Sequence, residues 1–143
     1  MGKFWLLKTE PEEWSWEHQA TNNGVSQWDG VRNAQAQNNM KAMNVGDLCF
    51  FYHSGKKDKQ IVGIVKVIKE SYADPSDPSG KYGVVDVEAV SPLEKPVTLA
   101  QIKQDEELKD FVMIKQPRLS VVPVTDKIWT RLCQLGGCDD IIN

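Results

Sequence analysis

Six consecutive residues, Trp28, Asp29, Gly30, Val31, Arg32 and Asn33, put an aromatic face, a turn glycine and planar hydrogen-bonding groups directly ahead of a stretch with helical spacing. An indole offers a large flat surface on which a planar heterocycle stacks. A helix start offers free N–H groups and partial positive charge, while Arg32 and Asn33 supply donors and an acceptor suited to base edges or phosphate. On spacing alone a second arrangement stands equally open, in which Asp29 caps the helix and Trp28 packs beneath it. Five tryptophans occur in 143 residues and four of them precede residue 29. Trp14 and Trp16 lie in a polar stretch and are expected to plug a core edge, with Trp129 in the core on a late helix.

Other chemistry is poorly supported. The two histidines, His18 and His53, show no metal-ligand spacing, and neither a nucleophile elbow nor a glycine-rich phosphate loop occurs. His53 beside Ser54 is expected to be a hydrogen-bonded strand-end residue rather than a general base. Cys49, Cys133 and Cys138 are odd in number and lack CxxC spacing, so they read as reduced thiols, Cys49 in a strand core and Cys138 in the tail. No metal, no cofactor and no enzymatic activity are expected.

The length and the 41% hydrophobic content suit one globular domain with its own core. No apolar run approaches the roughly 20 residues that cross a bilayer, and Met1 to Lys8 is too short for a secretory signal. An intracellular protein, nuclear or cytoplasmic, monomeric and without membrane contact, is expected. Net charge is −3, from 17 basic and 20 acidic side chains, which argues against broad attraction to nucleic acid. The distribution qualifies this. Between Gly30 and Lys69 stand seven bases and two acids, whereas acids crowd Glu10 to Glu17, Asp105 to Asp110 and Asp139 to Asp140. Lys56, Lys57, Lys59 and Arg118 are candidates for phosphate contacts, which position a strand without reading its sequence.

The elements that must hold these residues can be read from periodicity. Phe4 to Lys8 is expected to be a strand, Glu10 to Gln27 irregular, and Arg32 to Met43 a helix closed by Gly46 and Asp47. Leu48 to His53 and the β-branched run Ile61 to Ile68 give two strands, the second buried on both faces. Ala73 to Gly80 has turn chemistry, and Tyr82 to Val90 alternates as a strand with one wet face. Thr98 caps a helix to about Leu108, Phe111 to Lys115 and Leu119 to Val124 read as strands, and Thr125 caps a last helix ended by Gly136 and Gly137. The expected class is α+β, about six strands in a small closed or nearly closed barrel with about three helices packed around it.

The segments FWLLKTEP (Phe4 to Pro11), WDGVRN (Trp28 to Asn33) with AQNNMKAMNVGD (Ala36 to Asp47), FYHS (Phe51 to Ser54) and RLSVVPV (Arg118 to Val124) resemble the EVE domain family, in the family's order and over nearly the whole chain. The resemblance implies a single EVE domain over residues 1–143, a PUA-like mixed barrel related to YTH and ASCH domains. It also implies a pocket for a modified nucleobase, such as a methylated cytosine or adenine, in DNA or RNA. The pocket would draw on Trp5, Lys8, Thr9 and Glu10, on Trp28, Gly30, Arg32 and Asn33, and on Tyr52, His53 and Ser54. The loop around Ala73 to Tyr82 is shorter than in an animal member of the family, whose basic N-terminal extension has no counterpart here.

A reader of this kind would capture an extruded or single-stranded nucleotide, and its binding should fall steeply with salt. Replacing Trp28 by alanine should cut binding at least tenfold and leave the fold intact. Two rivals remain open from the sequence: an RNA-binding or ribonucleoprotein accessory module without modification specificity, and a hydrolase using His53 with Ser54 or Glu10.

Overall fold

A computed structural model describes residues 3–21, 24–57 and 59–138. Asp58, Asp139 and Asp140, counted in the charge distribution above, lie outside the described residues. In chain order the elements are β1 (Phe4–Thr9), α1 (Trp16–Thr21), β2 (Val25–Trp28), α2 (Ala34–Lys41), β3 (Leu48–His53), β4 (Gln60–Ala73), β5 (Gly83–Thr98), α3 (Leu99–Gln104), α4 (Val112–Lys115), β6 (Val121–Val124) and α5 (Asp126–Gly136), with a 3-10 turn at Glu106–Leu108.

One mixed sheet runs in the order β2-β5-β4-β3-β1-β6. β1 and β3 are parallel, so their C-terminal ends, Thr9 and His53, lie side by side at one end of the strands. The other pairs are antiparallel, and β4 and β5, 14 and 16 residues long, slip register several times. Each slip is a bulge that bends and twists the ribbon. The α+β class holds, but the sheet does not close: β2 and β6 are its two edges. Helix α2 spans the gap instead. Asn39 Nδ2 donates to Val121 O of β6 at 2.8 Å, and the Gln37 carboxamide exchanges hydrogen bonds with Gly83 O and N of β5 at 3.1 and 3.0 Å.

Both faces of the sheet are covered, and the period-2 alternation of β3 sorts the aromatic residues between them. Phe50 stacks on Trp129 of α5 at 4.0 Å, and Phe4 covers the same indole at 4.4 Å. Phe51 meets Trp16 and Trp28 edge-on, at 5.3 and 5.5 Å. Trp16 lies so close to β4 that a Cβ on Gly63 would stand 2.5 Å from its ring. Only glycine allows that approach.

Four sequence expectations need correction. The stretch Phe111 to Lys115 is not a strand: Gln116 N donates to Val112 O at 2.8 Å, closing α4. Phe111 and Met113 are both buried, and over so few residues a period of two cannot be told from a helical turn. Glu10 to Gln27 is not wholly irregular, because α1 and the edge strand β2 form within it. Helices therefore number five among the described residues rather than about three. Cys138 is not in a loose tail; its side chain is buried, and its N–H closes α5 onto Cys133 O at 2.9 Å, with Gly137 left-handed at φ 72°.

Candidate functional site

A cavity of about 770 Å3 opens where β1 and β3 end together. Its walls come from Lys8, Thr9 and the following loop, from the end of β2 with Asp29 and Gly30, from Tyr52 and Ser54, from one face of α3, from α4, and from Pro117 and Arg118. The parallel pairing explains the first junction: Lys8 stands opposite Tyr52, and Ser54 N donates to Thr9 O at 2.9 Å.

Trp28 has features of both arrangements left open by the sequence, without the Asp29 cap. It is packed, with 6% of its surface exposed and its ring edge-on to Phe51, and it nevertheless lines the cavity. Truncation to alanine would therefore also cost core packing, about 3–5 kcal/mol, so the expectation that the fold is indifferent to it does not stand. Gly30, at φ 78°, turns the chain from β2 toward α2 in a conformation that disfavours side chains. The helix cap is Asn33, whose Oδ1 accepts from Ala36 N at 2.9 Å; Asp29 does not cap, and instead lines the cavity.

Lys8 Nζ donates to Pro117 O at 2.8 Å and lies 5.8 Å from the centre of the Tyr52 ring. Burial, and secondarily the neighbouring charge of Lys59, hold its ammonium down to about 8. Burial also pushes the Tyr52 phenol up to about 12, so it stays protonated and able to donate. Thr9 Oγ1 donates to Trp14 O at 3.0 Å, fixing the loop that carries Glu10, Glu13 and Trp14 to the rim.

Of the residues singled out from the sequence, Lys8, Thr9, Glu10, Trp28, Gly30, Tyr52, Ser54, Lys59 and Arg118 come together around the cavity. The others do not line it. Trp5 is buried, and its Nε1 donates to Asp47 Oδ2 at 3.0 Å, in a cluster where Asp47 also accepts from the backbone of Lys3 and Asn44. Arg32 lies over the Tyr82 ring at 4.4 Å, outside the cavity. Asn33 uses its Oδ1 for capping and lies outside the cavity's lining. His53 Nε2 accepts from Trp16 N at 3.1 Å, so that nitrogen's lone pair is occupied and unavailable as a base toward Ser54. Lys56 and Lys57 are exposed in the turn between Ser54 and Lys59 and do not line the cavity.

Sequence reasoning missed Trp14 as a wall, along with Ser26, Gln27, Lys103, Met113 and Ile114. Trp14 is held by a buried glutamine: its Nε1 donates to Gln19 Oε1 at 2.9 Å, while Gln19 Nε2 donates to Gly24 O at 2.8 Å. Gln19, fully buried, thereby ties the rim loop to the start of β2. The polar composition of Glu10 to Gln27 concealed that role. Among the described residues no group of three or more His, Cys, Asp or Glu side chains stands where it would hold a metal ion. No helix there is long and apolar enough to cross a membrane.

The EVE domain model matches residues 3–135. The chain is 33% identical over 159 aligned residues to thymocyte nuclear protein 1 of Homo sapiens, covering 89% of this chain and 71% of that protein. Among solved structures, a protein from Rhodopseudomonas palustris superimposes with TM-score 0.88 at 46% identity, covering 94% of this chain and 93% of that one. Human THYN1 in complex with 5-methylcytosine-containing DNA superimposes with TM-score 0.85 at 31% identity, covering 94% and 98%. A YTH domain of Zygosaccharomyces rouxii, at TM-score 0.58 and 13% identity over 94% and 86% of the chains, shares the fold alone.

Proposed function

The chain belongs to the EVE domain family, and from that premise we propose that it is a nucleic-acid reader module whose cavity receives a methylated base from an extruded or single-stranded nucleotide. The observation that carries this is the open cavity walled by Trp28, in a fold that human THYN1 presents in complex with 5-methylcytosine-containing DNA. The base pocket is assigned to Lys8, Thr9, Glu10, Trp28, Gly30, Tyr52 and Ser54, with Lys59 and Arg118 toward the phosphates. The module acts as a single domain and a monomer in the nucleus or cytoplasm, and it binds rather than turns over its ligand. His53, engaged by Trp16, supports that last point.

The energetics set what such a reader can do. Unstacking a base costs a few kcal/mol, least for a strand already single. Stacking against Trp28 returns roughly 1–3 kcal/mol, and each hydrogen bond to the pairing edge adds about 1 kcal/mol. Burying one extra methyl adds about 0.8 kcal/mol, so discrimination between methylated and plain base is about fourfold. The test is an affinity series on one oligonucleotide carrying cytosine, 5-methylcytosine, adenine or a methylated adenine, as single strand and as duplex. Preference for a methylated single strand is expected. Equal affinity for all members would overturn the assignment of methyl reading.

A further inference from the structure

We propose that the cavity accepts a whole nucleotide, base, sugar and phosphate together, and that Lys8, Lys59 and Lys103 form the seat for its phosphate. This rests on the reader assignment and deepens it: there Lys59 already faces the phosphates, and here Lys8 and Lys103 join it around a single one.

Size is the first argument. At roughly 30 Å3 per water, about 770 Å3 corresponds to some 25 water molecules, and a single-ring base with its exocyclic groups displaces only a minority of them. The volume lies in the upper part of the range, about 300–1,000 Å3, that pockets offer to ligands larger than a base.

Charge placement is the second. The cavity's acids, Glu10, Glu13 and Asp29, come from the loop after β1 and the turn after β2. Lys59 and Lys103 come from elsewhere, the turn before β4 and the exposed side of α3. They are brought together by a backbone bond, Leu99 N to Lys59 O at 2.9 Å, and by the one-turn spacing that places Lys103 on the same helix face as Leu99. Lys8 joins them from the end of β1, near enough to Lys59 for that charge to weaken its own protonation. Among the described residues none of the three lysines forms an ion pair. Lys8 Nζ spends one donor on Pro117 O and retains others. Like charges facing one cavity, as those of Lys8 and Lys59 do, are relieved by an anion between them.

The experiment is competition against a labelled 5-methylcytosine single strand by free 5-methyldeoxycytidine, by its 5′-monophosphate and by inorganic phosphate. It is run on the wild type and on the double variant Lys59→Ala, Lys103→Ala. Both side chains are exposed, so folding is not at stake. In the wild type the monophosphate should compete at least tenfold better than the nucleoside, and in the variant the two should compete alike. Equal competition in the wild type, an advantage that survives in the variant, or failure of both free ligands to compete would each overturn the phosphate seat. Loss of the labelled strand's own binding to the wild type would remove the reader assignment as well. Strand binding without a phosphate advantage removes only the seat.

Discussion

Lys8 shows how one residue joins stability to function. Its ammonium titrates near 8 in the folded protein because burial, reinforced by Lys59, disfavours the charge; unfolded, it returns to about 10.5. Between those values the unfolded chain binds more protons than the folded one, so this group's contribution to stability rises with pH from about 8 to about 10.5. Below 8 both states are protonated and the cost of holding the charge in the cavity is present in full. Thermal unfolding of the wild type and of Lys8→Met from pH 7 to 10.5 should show the wild type gaining on the variant as pH rises. Parallel curves would mean that Lys8 carries no strain. Cys49 is the contrast: burial, then Asp47, pushes its thiol up, and as a thiol deep in β3 it is a small apolar side chain with no reactivity to offer.

Helix α2 is the element on which the site turns, because it begins just past Trp28 and Gly30 and ties the edge strand β6 to β5. Asn33 serves it as a cap. Asn33→Ala should therefore cost about 1 kcal/mol in denaturant unfolding while leaving affinity for a methylated strand within twofold. A loss of affinity without a loss of stability would return Asn33 to the base-reading role that the resemblance implied. The strands at the centre of the sheet were legible: β3 and β4 are aromatic and β-branched runs with sharp turns, and only burial explains such composition. β2 was not legible, since only two of its four residues are apolar and they take their place through pairing with β5 and through the buried Gln19, contacts that no local pattern encodes. The walls contributed by α3 and α4 come from positions 99–114, far along the chain from Trp28, so the sequence singled out Trp28 and Lys8 but not Lys103 or Met113, which line the same cavity. His53 and Trp5 fall outside the cavity's lining for one reason. Each is a residue type that binds ligands, and each spends its polar atom inside the fold.

At the scale of the whole molecule, a chain of net charge −3 presents one cavity in which Lys8, Lys59, Lys103 and Arg118 meet three acids, while the acidic stretch 105–110 is turned partly inward on Arg131, paired with Asp105 at 2.8 Å and Glu107 at 3.0 Å. Attraction to nucleic acid is thus local to the site. Neutralising two phosphates of a single strand, one at the three lysines and one at Arg118, gives a slope of about −1.4 in log affinity against log salt. A titration at several salt concentrations should find it, and a slope near zero would contradict a phosphate-facing site. The central claim, that a base stacks on Trp28 in an open cavity, is tested most directly by the affinity of Trp28→Phe for a 5-methylcytosine single strand, measured by fluorescence anisotropy beside the melting temperature of the same sample. Phenylalanine keeps the contact with Phe51 but shrinks the stacking face, so affinity should fall about fivefold, about 1 kcal/mol, with melting changed by only a few degrees. Undiminished affinity in a folded variant would contradict the account.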